Sequence, residues 1–200
     1  MAESSSRGDR PESFVDLLRE AYLERSSGVI ETRLEGAEPL YLRKGEIFVD
    51  RDGPLASRVA AVVARAATLP RPAADPQMRE AAATLVDQML QAESTVAARL
   101  RSEPPAGIEI VGPIATVCVL LEAVGRVSTE GAMLALLGGA AERYVGRQKT
   151  PALEQLPGLE PSMAAVYGQL ERPITIAELL RGGGTRLDTL RGLTRLWAVG

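Results

Sequence analysis

Apolar positions near the start of the chain follow first a helical and then a strand-like period. From residue 13, they recur at intervals of three and four, which predicts a helix up to about Ser27 with Gly28 as its stop. The period then becomes two over Val29 to Leu34, as in a strand with one buried face. Two more strands, Leu40 to Arg43 and Glu46 to Asp50, flank Lys44-Gly45, which predicts a hairpin.

The middle of the chain is predicted to be mainly helical. Pro54 opens a second helix, and a Pro-rich break at 70–76 precedes the longest helix, from Pro76 to about Arg101. The apolar seam of that helix is close to a heptad repeat and contains Met78, Ala82, Leu85 and Met89. Such a seam packs within the chain or pairs with a second chain, and the pattern leaves both open.

Further elements complete an α+β architecture. Ile108 to Val111 predicts a short strand, Pro113 to Val124 a buried helix, and Thr129 to about Tyr144 a helix capped by Ser128. The fold class is therefore α+β, mainly helical with a small antiparallel sheet. Residues 1–12 are polar and predict a disordered tail.

Three short helices are predicted in residues 151–200. Pro161 opens the first, Thr175 with Glu178 forms a capping box for the second, and Thr185 with Asp188 begins the third. Helices of this length and spacing are typical of a helix-turn-helix or winged-helix unit. Because the sequence stops where a wing would begin, we expect it to be truncated at residue 200.

Composition narrows the function classes. The sequence is 46 % apolar, carries a net charge of −3 and contains no histidine, the commonest general base and metal ligand. Its one cysteine, Cys118, excludes an internal disulfide and fits a cytoplasmic location. Since no run of about 18 apolar residues exists, no membrane insertion is expected. We expect no enzyme activity, no cofactor and no metal.

Arginines on the last predicted helix raise the question of DNA binding. Arg186, Arg191 and Arg195 stand where a recognition helix would contact phosphates or bases. Residues 151–200 contain five Arg and five acidic residues, however, and a neutral unit lacks the basic footprint of a DNA reader. A DNA-binding transcription regulator therefore stays an alternative, with nucleic acid the less favoured ligand.

Short motifs carry a resemblance to a known family. The segments 14–18 (FVDLL), 27–30 (SGVI) and 40–50 (LYLRKGEIFVD) together resemble the PATAN family, whose pattern is a helix with a Leu-Leu pair and a hairpin around a glycine. The similarity covers roughly residues 13 to 145, and residues 70–112 look like an insertion. Residues 173–180 (PITIAELL) resemble the small helical unit that follows this domain in myxobacterial proteins. This implies a PATAN-like domain at 13–148 and a winged-helix-like unit at 151–200.

The resemblance implies a non-enzymatic adaptor in bacterial signal transduction or in the regulation of surface motility and polarity. Implied partners are receiver domains, pilus motor ATPases or a Ras-like GTPase system. Tyr41, Lys44 and Phe48 on the hairpin are the candidate contacts to the partner, with a sheet edge open to a partner strand. The sequence leaves open the alternative that Tyr41 and Phe48 instead cover the helix at 13–27. A structural dimerisation module, a homodimer through Leu85 and Met89 on the 76–101 helix, is the remaining alternative.

Overall fold

The computed structural model describes residues 14–31, 38–66, 68, 75–93, 99–101, 107–147, 153, 156, 158–182 and 184–200. The predicted tail at 1–12, the end of the first strand at 32–34, most of the Pro-rich break and the boundary at 148–152 lie outside these residues. Within them, helices pack against a small antiparallel sheet, so the α+β class is confirmed.

The elements are numbered in chain order. Helices α1 to α8 span Phe14–Leu23, Ala56–Ala66, Pro76–Glu93, Thr116–Gly125, Glu130–Leu136, Pro161–Gln169, Ile176–Leu179 and Arg186–Ala198. Strands β1 to β7 span Gly28–Glu31, Leu40–Arg43, Glu46–Asp50, Arg99–Arg101, Ile110–Ile114, Tyr144–Val145 and Ile174–Thr175.

In the described part of the chain, five strands form the main sheet in the order β4-β1-β2-β3-β5, and each pair is antiparallel. The predicted hairpin is confirmed, with Lys44 and Gly45 at φ 51° and 81°, the left-handed pair that such a two-residue turn requires. The Gly45 N–H donates to the Ser26 carbonyl at 2.7 Å, and a Cβ at Gly45 would lie 2.9 Å from the Tyr22 carbonyl oxygen. The end of α1 and the hairpin turn therefore fit closely together.

Alternate residues of the strands form the floor of the core. Ile30, Leu40, Leu42, Ile47 and Val49 are each at most 1 % exposed and point towards the helices. Helix α4, which is apolar nearly all round, packs on α3 and α1 and is buried as its composition predicts.

The longest helix is shorter than predicted. Helix α3 ends at Glu93, and Arg99–Arg101 forms the edge strand β4 beside β1. Pairing with β1 then supplies the backbone hydrogen bonds that a continued helix would have made.

Two other predicted boundaries are wrong. Pro113 lies in β5, and α4 begins only at Thr116. Helix α5 ends at Leu136 because Gly138 and Gly139 adopt positive φ angles of 93° and 77°. The Gly139 N–H donates to the Leu134 carbonyl at 2.7 Å. Tyr144 is therefore not helical but lies in β6.

The three predicted C-terminal helices are present as α6, α7 and α8. Thr175 and Glu178 form the full capping box of α7, and the Thr185 hydroxyl accepts from the Asp188 N–H at the start of α8. Helix α8 packs against α4 and α5 as well as α6, and its buried side chains join the same apolar core as the sheet.

Candidate functional site

The predicted hairpin contacts lie in the middle of the sheet. Tyr41 is only 2 % exposed, so the expectation that its side chain contacts a partner is corrected. Phe48 is half-buried, with the Arg43 guanidinium 5.7 Å from its ring centroid, while Lys44 is exposed at the turn. Because β2 and β3 are each paired on both sides, neither offers an edge to a partner strand.

The predicted dimer seam is part of the chain's own core. Leu85 is 0 % and Met89 is 1 % exposed, on the side of α3 that packs against α1, α2 and α4. A second chain cannot reach these side chains in the folded protein. The expected contact through Leu85 and Met89 is therefore corrected to packing within the chain.

Each arginine proposed for DNA contacts already has an acidic neighbour. Arg186 pairs with Glu130 and Arg195 with Glu160, and Arg191 Nη1 lies 3.4 Å from Asp188 Oδ1. Most of the other side chains of α8 are buried, including Thr189, Leu190, Leu193 and Leu196. A recognition helix needs a solvent-exposed face that can enter a groove of DNA. The packing of α8 leaves only a small part of its surface exposed.

A cleft beside the C-terminal end of α8 combines an apolar floor with arginine and aromatic side chains. It has a volume of about 160 Å³ and lies between α1, β6, α6 and the end of α8. Its floor is apolar, because Leu137, Leu170, Leu193 and Leu196 are each at most 8 % exposed. Its rim is formed by Arg19, Arg143, Tyr144, Tyr167 and Trp197, and we call this site the arginine–aromatic cleft.

Arg19 is fixed by two contacts with the same residue. Its Nε donates to the Trp197 carbonyl at 2.6 Å, and its guanidinium carbon lies 4.5 Å from the Trp197 ring centroid. Partial burial lowers the pKa of Arg19, Asp16 on the same helix opposes that shift, and Arg143 adds to it by repulsion. Arg19 stays charged, since arginine is not deprotonated in proteins.

The part of the rim near β6 is more exposed to solvent than the part that Arg19 forms. Tyr144 on β6 is 70 % exposed, and Arg143 beside it donates from Nη1 to the Leu137 carbonyl at 3.0 Å. Just past the strand, the Arg147 guanidinium lies 4.1 Å from the centroid of the Tyr167 ring. Within the described residues, none of Arg19, Arg143 and Arg147 forms an ion pair with an acid. The described part of the cleft therefore presents positively charged side chains beside an apolar floor.

A second cavity, of about 190 Å³, is balanced in charge. Its lining contains Arg79 and Arg195 together with Glu122 and Glu160. Cys118 also lines it, and burial raises the pKa of this thiol to about 12, so at neutral pH it is protonated and a poor nucleophile. These features fit a structural role for Cys118, whose sequence neighbours Val117 and Val119 are apolar.

One buried carboxyl lies between the sheet and α2. Glu38 is 9 % exposed, and its Oε2 accepts from the Leu55 N–H at 3.0 Å, ahead of α2. Its Oε1 finds no hydrogen-bond donor among the described residues. Burial raises the pKa of Glu38, and the Leu55 hydrogen bond only partly offsets this rise. Gly53 lies so close that a Cβ there would be 2.1 Å from Oε1.

Sequence reasoning missed the cleft, although a signal was present. Three of the seven aromatic residues, Tyr144, Tyr167 and Trp197, line it, and each has an arginine within a few positions along the chain. The sequence pattern does not predict that Arg19, which is distant in sequence, contacts the end of α8.

In the described part of the chain, His, Cys, Asp and Glu side chains form no group of three that could bind a metal. Across the same residues, every helix is too short or too polar to cross a membrane. Comparison with protein-family models, with curated proteins and with solved structures gave no match.

Proposed function

We propose that this chain is a non-enzymatic, cytoplasmic adaptor that binds a protein partner through the arginine–aromatic cleft. The observation that carries the proposal is the composition of the rim, where arginine, tyrosine and tryptophan side chains surround an apolar floor. These three residue types dominate the binding energy of protein interfaces, because each offers a large contact area together with a polar group.

Exposed apolar side chains support the same surface. Among the described residues, the large apolar side chains that are most exposed are Leu23, at 40 %, and Tyr144, at 70 %. Tyr144 lines the cleft, and Leu23 lies one helical turn after Arg19, hence on the same side of α1. Exposed apolar side chains beside a cationic cleft favour a macromolecular partner.

The PATAN resemblance supplies the biological setting of the proposal. It suggests bacterial signal transduction or motility regulation, with a receiver domain, a pilus motor ATPase or a Ras-like GTPase system as partner. The absence of histidine from the sequence and the raised pKa of Cys118 support an adaptor over an enzyme. The acidic neighbours of Arg186, Arg191 and Arg195 give a DNA-binding regulator less support.

Site-specific photo-crosslinking tests the proposal in cells that express the full chain. Tyr144 is replaced by p-benzoylphenylalanine, and the matched control carries the same group at Arg58, an exposed position on α2. We expect a discrete protein adduct from position 144 and none from position 58, with the partner identified by mass spectrometry. No adduct from position 144, or the same adducts from both positions, would contradict the proposal.

A further inference from the structure

Three guanidinium groups around the cleft form no ion pair with an acidic side chain of the described residues. Arg19 and Arg143 lie on its rim and Arg147 stacks on the rim residue Tyr167, whereas no Asp or Glu side chain is among the described residues that line the cleft. Asp16 attracts Arg19, and Arg143 repels it. A carboxylate placed between Arg19 and Arg143 would relieve this repulsion and could accept paired hydrogen bonds from a guanidinium.

The size of the cleft limits what can enter it. Its volume of about 160 Å³ resembles that of a cavity of about 150 Å³ that accepts one benzene molecule. One leucine- or phenylalanine-sized side chain therefore fills the apolar floor, while groups on either side of it face the charged rim.

Resting on the proposed function, we propose that the arginine–aromatic cleft binds an acidic peptide segment of the partner, with one apolar side chain inserted and carboxylates flanking it. Charge complementarity argues for the flanking acids, and the leucine floor argues for the single apolar anchor. The exposed ring of Tyr144 extends the contact surface beyond the cavity, as a peptide requires and a small free acid does not.

Fluorescence polarisation with defined peptides tests this ligand class on the full chain. The probe is a fluorescein-labelled, amidated peptide with the core Asp-Glu-Leu-Glu-Asp. Two matched peptides carry Asn-Gln-Leu-Gln-Asn, which removes the charges, and Asp-Glu-Gly-Glu-Asp, which removes the anchor. We expect the first peptide to bind in a salt-sensitive manner, and each change to weaken binding by about tenfold or more.

Variants assign the binding to the cleft. Arg143→Gln and Tyr144→Ala should each weaken binding of the first peptide by about tenfold, while Arg58→Gln, which removes the same charge from an exposed position on α2, should not. The Tyr144→Ala variant should fold normally, because the Tyr144 side chain is mostly exposed. Circular dichroism confirms that each variant is folded.

Several results would overturn the ligand class. The first two are that the neutral peptide binds as tightly as the acidic one, or that Arg58→Gln weakens binding as much as Arg143→Gln does. The others are that no binding is detected at about millimolar peptide, or that free 4-methylpentanoate binds as tightly as the acidic peptide. Photo-crosslinking from position 144 does not depend on these peptides. A protein adduct without acidic-peptide binding would overturn the ligand class and keep the adaptor, whereas peptide binding without an adduct would overturn the adaptor.

Discussion

Arg65 and Asp75 form a two-armed ion pair between α2 and the residue that precedes α3. The Arg65 Nε lies 2.8 Å from Asp75 Oδ2, and its Nη2 lies 2.7 Å from Oδ1. The Asp75 side chain has no exposed surface, whereas the Arg65 side chain is 52 % exposed. Asp75 also accepts from the Gln77 N–H at 2.9 Å and so caps α3.

This unequal burial predicts unequal costs of mutation. Arg65→Met leaves the Asp75 carboxylate buried without its counterion, and should lower the free energy of unfolding by about 3 kcal/mol. Asp75→Asn keeps an acceptor for the cap and leaves a guanidinium that can reach water, so it should cost about 1–2 kcal/mol. Urea unfolding followed by circular dichroism measures both values.

The surface pair Arg51–Glu109 provides the control, since its side chains are 62 % and 68 % exposed. Arg51→Met should change stability by less than about 0.5 kcal/mol. If Arg65→Met proved as mild as Arg51→Met, the Arg65–Asp75 pair would not be a stabilising link between the helices.

Gly192 marks the closest approach of α6 and α8. A Cβ at this position would lie 2.3 Å from the Ser162 carbonyl oxygen, which is backbone and cannot rotate away. Gly192→Ala should therefore push the helices apart and lower stability by about 1–3 kcal/mol. Thermal unfolding followed by circular dichroism measures the loss.

Gly131 in α5 gives a matched control, because nothing lies within 4 Å of its added Cβ. Gly131→Ala should raise stability by about 0.5 kcal/mol through helix propensity alone. A stabilising Gly192→Ala would mean that α6 and α8 are farther apart than described.

Glu38 makes stability depend on pH. Its folded-state pKa is raised above the ordinary value of 4.5, so between these two values the folded chain holds more protons than the unfolded chain. Stability should therefore fall as pH rises through that interval and stay lower above it. In Glu38→Gln this fall should be absent, which makes the variant relatively more stable at neutral pH than at pH 4.5.

Urea midpoints of both proteins across this range give the comparison. Glu80→Gln serves as the control because it removes an exposed carboxylate from α3. The same pH dependence in Glu38→Gln and in the original chain would show that the buried carboxyl does not carry the effect.

Local patterns predicted much of the fold because the physics there is local. The turn at Lys44-Gly45, the capping box at Thr175 and Glu178, and the proline that opens α6 each depend on a few adjacent residues. The pairing of Arg99–Arg101 with β1 depends on a distant segment, so the helix prediction is wrong for residues 99–101. Propensity cannot report a partner strand about 70 residues away.

Function was harder to predict for the same reason. The heptad-like seam in α3 has the same sequence pattern whether Leu85 packs against another chain or against the chain's own core. The helices that surround α3 in the fold determine which of the two occurs. The arginine–aromatic cleft likewise needs Arg19 of α1 to meet Trp197 of α8, a contact across 178 positions. The Glu38 carboxyl is buried by packing that no local pattern encodes.

The packing of α8 against α4, α5 and α6 has a consequence for synthesis. A ribosome adds residues in order, at about 5–20 per second, so those three helices emerge before the helix that covers them. Until then, their apolar faces towards α8 stay open to water and to other nascent chains. The protein should therefore depend on chaperone protection during this interval, and its core closes only when α8 has left the exit tunnel.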